Sequence, residues 1–190
     1  MGYTTAGLVN DGYTAHYAVS YDDTLSAADG VQRANGLIAA CEADFALMKG
    51  WFGGIDLVFG YPIPVQIESG PETGASWPDP APFLVDLGAK PTITIQPGNG
   101  QLVALLRYLL VSEVTEMFML TQGQGWFYPE GFFQGGDEGS KGEGLSRFLG
   151  AQFLRDNNLL GGIAPPGFTV TPFWLNGPRQ DFVDINPDDH

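Results

Sequence analysis

The chain has 190 residues, 44% of them apolar and only 16% charged, which is enough for one buried core and excludes a disordered chain. Its 22 acidic residues against 8 basic ones give a net charge of -14, a field that repels phosphate backbones and anionic membranes and argues against nucleic-acid binding. A single cysteine, Cys41, excludes an internal disulfide, and no apolar run reaches transmembrane length.

Tyr13 to Tyr21 alternates and is rich in aromatic residues, which predicts a strand, with Asp22 to Thr24 as its turn. Ser26 has the character of an N-cap for a helix from Ala27 to Met48, whose Ile38, Cys41, Phe45 and Met48 form an amphipathic stripe ending at Gly53-Gly54. Within that stripe Cys41 is expected to be a buried, inert thiol. Ile55 to Phe59 and Pro64 to Ile67 are strand candidates, and Ser69 to Pro82 is a Pro/Gly-rich loop. Pro91 to Gln96 alternates strictly and reads as a strand, broken by Pro97 to Gly100. A long helix over Gln101 to Thr121, a Gly- and aromatic-rich loop over Gln122 to Lys141, and a helix over Gly142 to Asp156 follow. Asn157 to His190 is an irregular, Pro/Gly-rich extension. The economical organisation is one α+β domain spanning 1–190, either complete or a fragment of a longer protein. Met1 to Asn10 lacks a signal-peptide shape; the compartment stays open, with an extracellular setting preferred.

The informative stretch is Val111-Ser112-Glu113-Val114-Thr115-Glu116-Met117. Leu102, Leu106, Leu109, Leu110, Met117 and Leu120 build one apolar face of the long helix, and Glu113 and Glu116 fall on that same face. Two carboxylates pointed into a core require a metal, an arginine, backbone donors or a captured proton. The alternative is that this end of the helix protrudes into solvent.

The segment resembles the His-Glu-x-x-His helix of the zincin metallopeptidases with both histidines replaced. Ser112 and Glu116 stand at the zinc-binding positions, and Glu113 keeps the position of the water-activating base. Downstream, Gly142-Glu143-Gly144-Leu145-Ser146-Arg147-Phe148-Leu149-Gly150 resembles the second helix of thermolysin-like gluzincins, which makes Glu143 the counterpart of the third zinc ligand. That family pattern has an aspartate four residues later, supporting a histidine ligand; here the position is Arg147. The resemblance therefore implies a zincin-like fold, in which a small mixed sheet packs on a long helix bearing Ser112, Glu113 and Glu116. It also implies a rebuilt centre in which the Arg147 guanidinium pairs with Glu143, Glu116 or Glu113. An ordinary surface pair between Glu143 and Arg147 is the competing reading.

Other constellations are weaker. His16 has no second internal histidine and reads as structural, so neither a Ser-His-acid nor a Cys-His set can be assembled. The Gly131 to Gly139 loop has no phosphate-loop lysine in register. The aromatic run Trp126 to Tyr128 with Phe132-Phe133 reads as core or interface.

Three functions compete. The first is a pseudo-metallopeptidase without cofactor, acting through a protein partner or self-association. The second is a hydrolase with Ca²⁺, Mg²⁺ or Mn²⁺ on Glu113, Glu116 and Glu143, joined by Asp137 or Glu138. The third is a self-associating extracellular structural protein, suggested by 27 glycines, 14 prolines and 13% aromatics.

Overall fold

A computed structural model describes residues 2–71, 73–77, 90–98, 103–122 and 140–159, without the side chains of 140–144. The strands are β1 (Tyr3–Thr4), β2 (Tyr17–Asp22), β3 (Ile63–Ile67), β4 (Thr73–Ser76) and β5 (Ile93–Pro97). They form one mixed sheet in the order β1-β2-β3-β5-β4. The central strands β2, β3 and β5 run parallel, and the two edges are antiparallel. Strict alternation sets the buried face. Val19 pairs with Val65 and Val65 with Ile93, and Tyr21 aligns with Ile67 and Ile95, so branched and aromatic side chains lie in rows across the three strands. All of these are at most 3% exposed. Each buried Val or Ile contributes roughly 1.5–3 kcal/mol by leaving water. The opposite face carries Ser20, Gln66 and Thr94 in one row, polar and half-buried.

Helix α1 (Ala27–Trp51) joins β2 to β3, a connection long enough for parallel neighbours. Its N-terminus is capped as the sequence predicts: the Ser26 hydroxyl accepts from the Asp29 N–H at 3.2 Å and donates to the Asp29 carboxylate at 2.8 Å. Gly30 lets α1 settle on the sheet, since a Cβ there would lie 2.2 Å from the Tyr21 ring. Helix α2 (Val103–Gln122) packs on α1 and on β4 and β5, and helix α3 (Ser140–Asp156) packs on α2. A fork of two hydrogen bonds pins α2 to α1: Arg107 Nε and Nη2 donate to Asp44 Oδ2 and Oδ1 at 2.8 and 2.7 Å.

The α+β class and the mixed sheet agree with the sequence reading; several boundaries do not. The strand read over Tyr13 to Tyr21 is β2 and begins only at Tyr17, after a 3-10 turn at Val9–Gly12, and Tyr13 contributes an isolated bridge to Ala18. Ile55 to Phe59 is not a strand. Both edges of β3 are already taken by β2 and β5, so this segment inserts the Leu57 and Phe59 side chains into the core without a ladder. Conversely, Thr73–Ser76, read as loop, is the edge strand β4. It has no apolar alternation to announce it and is held by backbone pairing with β5. Helix α1 also continues three residues beyond Met48.

Candidate functional site

Helix α2 is buried almost all round, with every residue from Tyr108 to Met119 shielded, because α1 and the sheet cover it on one side and α3 on another. The possibility that its end protrudes is thereby removed. Ser112 is 6% exposed, Glu113 9%, Thr115 0% and Glu116 3%, so the whole Ser112-to-Glu116 stretch is interior. A polar run inside a core costs several kcal/mol unless its groups find partners.

Glu116 finds them on two other elements. Ser146 of α3, itself fully buried, donates its hydroxyl to Glu116 Oε1 at 2.7 Å. Trp77, directly after β4, donates its indole N–H to Glu116 Oε2 at 3.4 Å, a long contact. The Trp77 ring is held edge-on by Phe59, centroids 5.7 Å apart. One carboxylate thus ties together α2, α3 and the end of the edge strand. Helix α3 comes close enough because its contact face is small: Gly150, one turn after Ser146, meets the Tyr108 ring, where a Cβ would lie 2.8 Å away. Phe153 and Leu154 continue that face, at 1% and 2% exposure.

On the flank of α3, Phe148 is 37% exposed, whereas Leu145 and Leu149 are half-buried and pack against the core. The fully buried face carries the small residues Ser146 and Gly150. Arg147 is exposed, and its neighbour Ser146 supplies the buried hydroxyl beside Glu116. Glu143 lies in α3 three residues before Ser146; its side chain, like Asp137 and Glu138, lies outside the described residues. Thr115 Oγ1 is buried without a hydrogen-bond partner among the described residues.

The donor chemistry does not fit zinc. Zinc sites draw on histidine nitrogen and cysteine sulfur, and no group of three His, Cys, Asp or Glu converges among the described residues. Ser112 offers a hydroxyl, and both Glu116 oxygens already accept hydrogen bonds. The remaining soft ligands are elsewhere. Cys41 is buried in α1, where desolvation pushes its thiol up to about 11. His16 fastens the start of β2 to α1: its Nδ1 is 2.6 Å from Glu42 Oε2, its backbone N–H donates to Glu42 Oε1 at 2.9 Å, and its ring stacks on Phe45 at 3.8 Å. Burial works to raise the Glu42 carboxyl, but hydrogen bonds from Thr14 and His16 outweigh it and hold the group below its usual range. A pocket of about 370 Å³ lies away from Glu116, between Trp51 and Phe52 of the α1 end and Leu145, Leu149 and Asp156 of α3.

Ser146 and Trp77 were not singled out by the sequence. Ser146 is legible only once Gly150, one turn on, marks the close-packed face; Trp77 sits in a segment read as loop, 39 residues from its partner. No protein-family model, no curated protein and no solved structure matches this chain.

Proposed function

We propose that the chain is a catalytically degenerate zincin-like domain that works by binding or assembly rather than by peptide hydrolysis. The observation that carries this reading is the state of Glu116, at a zinc-histidine position of the resembled motif. Its carboxylate is buried and receives donors from Ser146 and Trp77. A hydrogen-bonded carboxylate is a structural tie between elements, whereas a hydrolytic zinc site needs open nitrogen ligands and a free coordination position. The order of elements supports the same reading: a strand-helix-strand unit, an antiparallel edge strand, then a central helix carrying Ser112 to Glu116 and a second helix packed against it. A binding role is supported by the pocket between Trp51 and Phe52 and the half-buried Leu145 and Leu149 of α3, with Phe148 exposed on the same helix. Among the described residues no helix is long and apolar enough to cross a membrane.

The test is elemental analysis and peptidase assay of the purified chain, with calorimetric titration of Zn²⁺, Ca²⁺, Mg²⁺ and Mn²⁺. The expected result is no stoichiometric metal and no hydrolysis. One zinc per chain with proteolysis abolished by Glu113→Gln overturns the reading. One tightly held Ca²⁺, Mg²⁺ or Mn²⁺, lost in Glu116→Gln, replaces it with the oxygen-ligated metal site.

A further inference from the structure

The molecule buries two arginines of α1 and α2 in different ways. Arg107 presents the Nε/Nη2 edge of its guanidinium to Asp44 in a two-bond fork. Arg33 is more deeply buried, at 5% exposure, yet has no such partner. Among the described residues its only hydrogen bond is from Nη1 to the Gly98 carbonyl at 3.4 Å. Its Nε is buried with no acceptor, and among the described residues no carboxylate lies within ion-pair distance. A desolvated guanidinium without a counter-charge is one of the costliest groups a core can hold.

The surroundings add positive potential. Gly98 directly follows β5, and α2 begins five residues later. The start of α2 lies against α1 within a turn of Arg33, because a Cβ on Gly36 would meet the Val103 side chain at 2.5 Å. The positive end of a 20-residue helix and a buried guanidinium are therefore neighbours.

We propose that Arg33 is an anion-binding residue: the Nε/Nη2 edge of its guanidinium, at the junction of α1, the end of β5 and the start of α2, takes the carboxylate group of a small ligand. The same edge of Arg107 shows the geometry, in which two parallel N–H donors meet two carboxylate oxygens. The carbonyl of Gly98 holds Nη1 and so fixes the plane of the fork. The site is separate from the Ser112 to Glu116 stretch and does not depend on the zincin-like reading.

The probe is acetate. The full chain is titrated with sodium acetate against sodium chloride at equal ionic strength and pH, following thermal unfolding and the side-chain Nε–H NMR signals of the arginines. The expected result is a saturable rise in Tm with acetate alone, by mass action on the folded state, together with a shift of the Arg33 Nε–H signal. Arg33→Met abolishes the rise, and Arg33→Lys, which keeps the charge and loses the fork, weakens binding about tenfold or more. Equal responses to acetate and chloride, or an acetate response that persists in Arg33→Met, overturn the proposal. A response to inorganic phosphate with none to acetate overturns the carboxylate assignment. Should Arg33→Met not fold, the Arg33 Nε–H signal in the unaltered chain decides: no movement with acetate refutes the site.

Discussion

The Asp44–Arg107 fork is the contact whose removal the structure prices most sharply, because its partners differ in burial. The Asp44 side chain is 4% exposed and that of Arg107 17%. Among the described residues the Asp44 carboxylate accepts side-chain hydrogen bonds from Arg107 alone, whereas Arg107 also rests on the Phe153 ring, 5.1 Å from the centroid. The hydrogen bonds that Arg107 donates to Asp44 raise the Arg107 pKa beyond its ordinary value, so the guanidinium is fully charged in neutral solution. Arg107→Met should therefore strand a buried carboxylate and cost about 3–5 kcal/mol. Asp44→Asn keeps a hydrogen-bond acceptor and leaves a cation that can reach water and retain its ring contact, a loss nearer 1–2 kcal/mol. The double change Asp44→Leu with Arg107→Met should return to within about 1.5 kcal/mol of the parent, since a well-packed apolar pair often matches a buried ionic one. Urea unfolding followed by circular dichroism gives each value. In thermal terms the Arg107→Met deficit is on the order of 10 °C for a domain of this size. If Arg107→Met and Asp44→Asn cost the same, or if the double change is as unstable as Arg107→Met alone, the burial asymmetry is not what governs this pair.

Acid should weaken the fold through Asp22. The Ser69 hydroxyl, bonded to Oδ2 at 2.6 Å, and the Thr24 N–H, bonded to Oδ1 at 2.8 Å, hold its carboxyl down to about 2 from an ordinary 3.8. A depressed carboxylate stabilises the fold above its unfolded value, so a contribution of roughly 2–2.5 kcal/mol is present at neutral pH and drains away between about pH 4 and pH 2. Urea midpoints of Asp22→Asn should lie below the parent at pH 7 and converge with it near pH 2; a constant gap across that range sinks the assignment. Cys41 should label slowly with a thiol reagent in the folded chain. With burial pushing its pKa up to about 11, roughly one thiol in a thousand is ionised at pH 8, and the sulfur is also fully shielded. Labelling of the native chain as fast as in denaturant would show that α1 opens readily or that the thiol is accessible.

The sequence by itself determined the local elements whose side chains repeat with a clean period. The alternation in Ile93-Thr94-Ile95 and Pro64 to Ile67, the Ser26 cap and the long apolar helix around Leu106 to Met117 are all local facts, and each emerged with its bounds shifted by one or two residues at most. The oddity of two glutamates among those apolar residues was equally legible, because a 3.6-residue period puts Glu113 and Glu116 beside Leu109 and Met117. What satisfies Glu116 was not. The family pattern directed attention to Arg147, and its neighbour Ser146 supplies a buried donor from α3. Helix packing brings that donor close: α2 and α3 approach until Gly150 meets the Tyr108 ring. Trp77, the unpartnered fork of Arg33 and the failure of Ile55 to Phe59 to join the sheet belong to the same class. Each depends on which strand edges and helix faces are already occupied, a long-range condition that no local period contains.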